Sequence, residues 1–195
     1  YPGIDQYQHL ELITTNDGGF LIAVEANDPN SGAIHPQLIK TDSTGMEMWM
    51  YRYDSVNFAF ENAAFCFVEE QIKNSVQSYY HLTGRFKGDL TTSIDTLMMT
   101  VDQDGVVLAS ATIGYSNHSD YGRGLRRKGD QLLVTGYSKD IGEGGGTYLM
   151  LLDMGFNVMW YYGLQGFTGT KELYFDADNN ILLAGSTSFP NPNGN

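Results

Sequence analysis

Four aspartates stand in pairs two residues apart: Asp102 and Asp104 in "DQDG", and Asp176 and Asp178 in "DADNN". Carboxylates at that spacing can begin a calcium loop, because a hard cation gathers several oxygens. The rest of such a loop is missing, since Ile113 and Thr187 occupy the twelfth position, where a Glu should close the site. Asp and Gly in these runs have a second use. The Asp carboxylate accepts backbone N–H groups two residues on, and Gly adopts positive φ at little cost. The four aspartates are therefore weak metal candidates, and hairpin turns are the preferred reading.

Other chemistry-bearing residues follow the same course. "GRGLRRKG" holds the one basic cluster, with Arg123, Arg126, Arg127 and Lys128. It reads as a solvated turn or as a docking patch for an acidic partner, such as an acidic patch on a neighbouring copy. Asn117 in "NHS" is a glycosylation candidate in an expected loop. His9, His35, His81 and His118 accompany no nucleophile signature, so no catalytic residue is assigned. "GEGGG" lacks the Lys-Ser/Thr of a phosphate loop and runs into a strand-like "TYLMLL". The Tyr-rich "YRY" and "WYYG" suit sugar stacking, but more often pack blade edges. Cys66, the single cysteine, sits among apolar residues and reads as a small buried hydrophobe.

The formal charge of −12 repels nucleic acid and anionic membrane surfaces. No apolar run approaches the ~20 residues that span a bilayer as a helix. The 42 % hydrophobic content supports a packed core, and 13 % aromatics with 23 Gly suit many short strands joined by tight turns.

The elements that carry these residues repeat. "GFLIAV", "YYHLTG", "QLLVTG" and "ILLAGS" align Val24 with Gly84, Gly136 and Gly185, at spacings of 60, 52 and 49. "QLIKTDSTGMEMW", "LMMTVDQDGVVLA" and "YLMLLDMGFNVMW" align Asp42, Asp102 and Asp153. Trp49 and Trp160 each lie seven residues after their Asp, and Ala109 takes that place in the second unit. Two marker sets with one period indicate a repeat protein of antiparallel hairpins. The second unit lacks the "DGG" turn, and "EEQIKNSVQS" is expected to replace it. "FLIAV", "LMMTV", "LLVTG", "YLMLL" and "ILLAG" are expected to form inner strands.

These motifs, "NDGGFLIAV", "PQLIKTDSTGMEMWMYRY" and "TYLMLLDMGFNVMWYYG" above all, resemble a propeller-like repeat of secreted and surface microbial proteins. The resemblance implies an all-β propeller, or a propeller-like array of four-stranded antiparallel blades, with about three and a half repeats here. The units run over roughly 10–56, 57–116, 117–165 and a partial 166–195, within one domain. Residue 1 is Tyr and the chain stops at "SFPNPNGN", so the sequence reads as an internal piece of a longer or processed polypeptide. The expected function is a non-enzymatic extracellular or cell-surface scaffold or adhesion protein without a cofactor, presenting loops for binding or assembly. Its expected partners are other segments of the same protein or other copies of it, in an assembly that extends to a fibre in its sharpest form. The alternative is a carbohydrate-binding or carbohydrate-active module that takes glycans, with its site partly outside this chain.

Overall fold

A computed structural model describes residues 7–27, 34–53, 63–74, 77–87, 93–114, 119–178 and 180–187. They form fourteen strands in four antiparallel sheets, in a four-blade β-propeller arrangement. The first sheet holds β1 (Tyr7–Thr14), β2 (Phe20–Asn27), β3 (Ile34–Thr41) and β4 (Glu47–Arg52) in that order. The second holds β5 (Ala63–Asn74), β6 (Gln77–Phe86), β7 (Asp95–Asp102) and β8 (Val107–Ile113). The third holds β9 (Asp120–Lys128), β10 (Gln131–Ser138), β11 (Gly146–Asp153) and β12 (Val158–Gln165). The fourth has two strands among the described residues, β13 (Phe167–Phe175) and β14 (Ile181–Thr187).

The repeat markers fall at equivalent places. "FLIAV" and "LLVTG" lie in second strands, and "LMMTV" and "YLMLL" in third strands, so both kinds are flanked on each side. Their near-continuous apolar character reflects burial on both faces: β7 and β11 are buried over almost their whole length. "ILLAG" differs. It lies in β14, where Leu182 is 52 % exposed. The "EEQIKNSVQS" segment also departs from expectation. It is not a long turn, because β5 runs on to Asn74 and β6 starts at Gln77, which makes a twelve-residue and a ten-residue strand. Only 75–76 separate the two strands.

Each sheet stacks on the next through an apolar layer. Leu21, Leu38, Phe65, Leu82 and Met99 fill the first interface. Phe67, Met98, Leu132, Met150 and Phe156 fill the second, and Leu133, Leu149 and Leu173 the third. Every blade's first strand also carries a bulge. It falls between Phe65 and Phe67, between Gly122 and Gly124, and between Thr170 and Glu172. Gly84, Gly136 and Gly185 stand opposite, and a Cβ on any of them would run into the bulged strand's carbonyl at Ala64, Tyr121 or Gly169. That close approach is why these positions are Gly. In the first sheet the bulge lies between Gln8 and Leu10, one position displaced, opposite Glu25. The displacement leaves Val24 room for its side chain, and Val24 is buried.

The turns between third and fourth strands follow one design. Asp42 Oδ1 accepts the N–H of Thr44 (2.8 Å) and of Met46 (3.0 Å), and Gly45 takes φ 85°. Asp102 and Gly105 repeat this, with φ 80° at Gly105. In the third blade Phe156 stands in Gly's place, at φ 64°. A bulky residue is strained there. Its burial in the second interface offsets the cost.

The glycine rule is testable. Gly84→Ala should lower stability by about 1–3 kcal/mol, since the new methyl overpacks a main-chain contact. Thermal unfolding followed by circular dichroism should shift down by several degrees. Gly144→Ala, where a Cβ meets nothing within 4 Å, should leave the midpoint near wild type.

Candidate functional site

The paired aspartates are occupied as turn residues. Asp102 Oδ1 accepts from the N–H of Asp104 (3.0 Å) and Val106 (2.9 Å). Asp176 Oδ1 accepts from Asp178 (2.9 Å) and Asn180 (2.8 Å), and the Asn180 amide caps its other oxygen. Those hydrogen bonds hold the Asp176 carboxyl below the usual carboxylate range. Among the described residues no three His, Cys, Asp or Glu side chains gather as a metal site would require. Asn117 and His118 lie outside the described residues. Cys66 falls at the β5 bulge, and its side chain lies outside what is described.

The basic cluster spreads along β9 and each member is engaged within the fold. Arg126 pairs with Glu69 of the second sheet at 3.3 Å. It also lies over the Phe67 ring (5.0 Å) and the Tyr174 ring (5.3 Å), so one guanidinium ties three blades. Arg123 covers Tyr121 and Tyr137, Lys128 covers Phe175, and Arg127 donates to the Gly129 carbonyl. Burial raises the pKa of Glu11 in β1, Arg126 opposes that, and Glu172 of β13 adds to it.

Two of the histidines are buried structural groups. His35 is 4 % exposed. His81 bonds Thr100 Oγ1 and Gln71 Oε1, each at 2.8 Å. Burial pushes His81 down to about 4, helped by the Arg127 charge. Tyr53 of "YRY" is buried edge-on to Phe65 and donates its hydroxyl to the Gly105 carbonyl (2.8 Å). Tyr161 of "WYYG" stacks on Tyr148.

Two features stand apart from this internal bonding. The first is a cleft of about 270 Å³ where the turn ends of the first and second sheets meet. Lys40, almost wholly buried, reaches from β3 to Asp17 (2.8 Å) and to the Thr41 carbonyl (2.8 Å). Partial burial pushes Asp17 up, but hydrogen bonds from Lys40, Thr15 and Gly19 and the Lys40 charge outweigh it and hold Asp17 at about 2. The Asn16 N–H donates to Glu70 Oε2 across the interface at 2.9 Å. Trp49 donates Nε1 to the Gln103 carbonyl at 3.1 Å, so the indole spans the two sheets. Glu70 and Tyr80 are directly paired across β5 and β6, which puts both on the face toward the first sheet. Reading 69–78 as a turn hides this pairing. The alternation through Glu70, Ile72, Ser78 and Tyr80 is the signal that could have found it.

The second feature is the open fourth sheet. Tyr174 and Leu182 are 51 % and 52 % exposed on its outward face, and β14 has no partner on its far edge among the described residues. Trp160, the repeat equivalent of Trp49, is 38 % exposed. Its indole N–H has no hydrogen-bond partner among the described residues. Trp49 is bonded by the third-strand turn of the next blade, and the described fourth sheet carries no such turn.

Compared with known proteins, the chain matches no protein-family model, and no curated protein matches it significantly.

His81 makes a pH prediction. Its folded pKa lies below the ordinary 6.5. The unfolded chain therefore binds the extra proton first, and stability falls as pH drops from 6.5 toward 4. His81→Gln should flatten that part of the curve, read as the urea midpoint at pH 7 and at pH 4.5.

Proposed function

We propose that this chain is a non-enzymatic scaffold of the extracellular space or cell surface. It assembles when a β-hairpin of its own repeat kind completes the fourth sheet. The observation that carries this reading is Trp160. The same position in the first blade is closed by the Gln103–Gly105 turn of the blade that follows. Among the described residues the Trp160 indole N–H has no partner, and Leu182 and Tyr174 are exposed beside an edge that no described strand pairs. Such an edge is a template for strand addition. The incoming hairpin would pair with β14 and set an Asp-x-x-Gly turn over Trp160. The likeness to secreted and surface repeats supports the extracellular setting. The engagement of the paired aspartates, the basic cluster and His81 within the fold supports a structural role for them. A carbohydrate-binding role is the second reading, favoured by the carboxylates and Trp49 of the inter-sheet cleft.

The test uses a peptide with the sequence of 95–113, the hairpin that covers Trp49, and reads Trp160 fluorescence in a Trp49→Phe background. A saturable blue shift, lost with a scrambled peptide, is expected. Light scattering of the chain alone separates the sources. Multimers would identify a second copy as the donor, whereas a monomer that takes the peptide would place the donor elsewhere. A monomer indifferent to the peptide would overturn the proposal.

A further inference from the structure

The cleft between the first and second sheets has a chemistry that the scaffold role does not use. Three carboxyl groups, Asp17, Glu70 and Asp104, line it, and Lys40 is the one cation among its described lining residues. Lys40 is committed to Asp17. Tyr80 is 2 % exposed at the cleft wall, and its hydroxyl has no hydrogen-bond partner among the described residues. Tyr80 lines the same cleft as Glu70, Asp17 and Asp104, so its hydroxyl is available to a bound group. Trp49 also lines the cleft, its indole held by the bond to Gln103.

We propose that this cleft binds an organic cation, an alkylammonium or guanidinium head group such as a lysine or arginine side chain carries. The excess of carboxyl groups calls for a donor with positive charge. The indole adds a cation–π face, and Tyr80 supplies a neutral acceptor. The volume, about 270 Å³, suits a group of side-chain size at the lower end of ligand pockets. A bare metal ion is a poorer occupant, because the described carboxylates do not converge as a coordination shell does. The acidic surface of the whole chain draws cations toward the opening.

The experiment is a titration of the chain, in a Trp160→Phe background, with n-pentylamine, n-pentanol, methyl glucoside and a Gly-Lys-Gly peptide blocked at both ends. Trp49 fluorescence and calorimetry give the readouts. The amine should bind saturably, at least about tenfold tighter than pentanol. Glu70→Gln and Tyr80→Phe should each weaken it several-fold while leaving thermal unfolding near the parent midpoint. If the peptide binds more tightly than the amine, the natural source is a protein side chain; equal binding points to a free amine. Equal affinity for pentanol or methyl glucoside, absence of saturable amine binding, or indifference to both substitutions would overturn the assignment. None of these results bears on completion of the fourth sheet, which is read at Trp160.

Discussion

A β-sheet whose strands are apolar on both sides cannot hide both faces by itself. In this chain the second and third sheets each lay one face on the sheet before and the other on the sheet after. The strand pattern, the turn chemistry and the glycines all follow from that stacking. Continuous apolar runs such as "LMMTV" and "YLMLL" exist because both of their faces are covered. Stability is then a sum of nearest-neighbour interfaces more than of blades taken singly. Among the described residues the first and fourth sheets carry the exposed apolar faces, and Leu12 in the first is about as exposed as Leu182 in the fourth.

The interfaces are filled by exchange between large and small residues. At the first, Trp49 lies beside the Gly105 turn, and an added Cβ there would strike Tyr51. At the second, Ala109 takes the place of Trp and Phe156 takes the place of Gly, both within the same apolar cluster. A small residue on one side is matched by a large one on the other, which keeps the layer filled. Phe156 accepts a left-handed backbone for this purpose. Polar bonds then fix the register of neighbouring sheets. Arg85 meets the buried Glu25 at 3.1 Å, Arg126 meets Glu69, and Thr96 bonds Tyr148 at 2.5 Å. Of the basic cluster, Arg126 is spent on such a joint and Lys128 reaches Phe175 of the next sheet.

The repeat is legible along the chain because turn chemistry and burial are local. Asp42, Asp102 and Asp153 bond N–H groups two to four residues away, so their spacing alone marks the hairpins. The apolar runs and the glycines near their ends mark the buried middle strands. The β5–β6 hairpin is not legible in the same way, since charged "EEQIKN" looks like a turn until Glu69 and Glu70 find partners in Arg126 and Asn16. Those partners lie more than fifty residues away, where no local pattern reaches.

The sequence alone therefore determined the all-β class and the repeating antiparallel hairpins, since each rests on periodic, short-range chemistry. The tertiary structure decided what the side chains do. It turned Arg126 and Lys128 into inter-blade contacts and made Asp102 and Asp176 turn caps. It brought Asp17, Glu70, Tyr80 and Trp49 around one cleft, and it left the Trp160 indole N–H without a partner among the described residues. These outcomes depend on which sheet faces which, and that contact is set by stacking across distances that spacing along the chain does not encode.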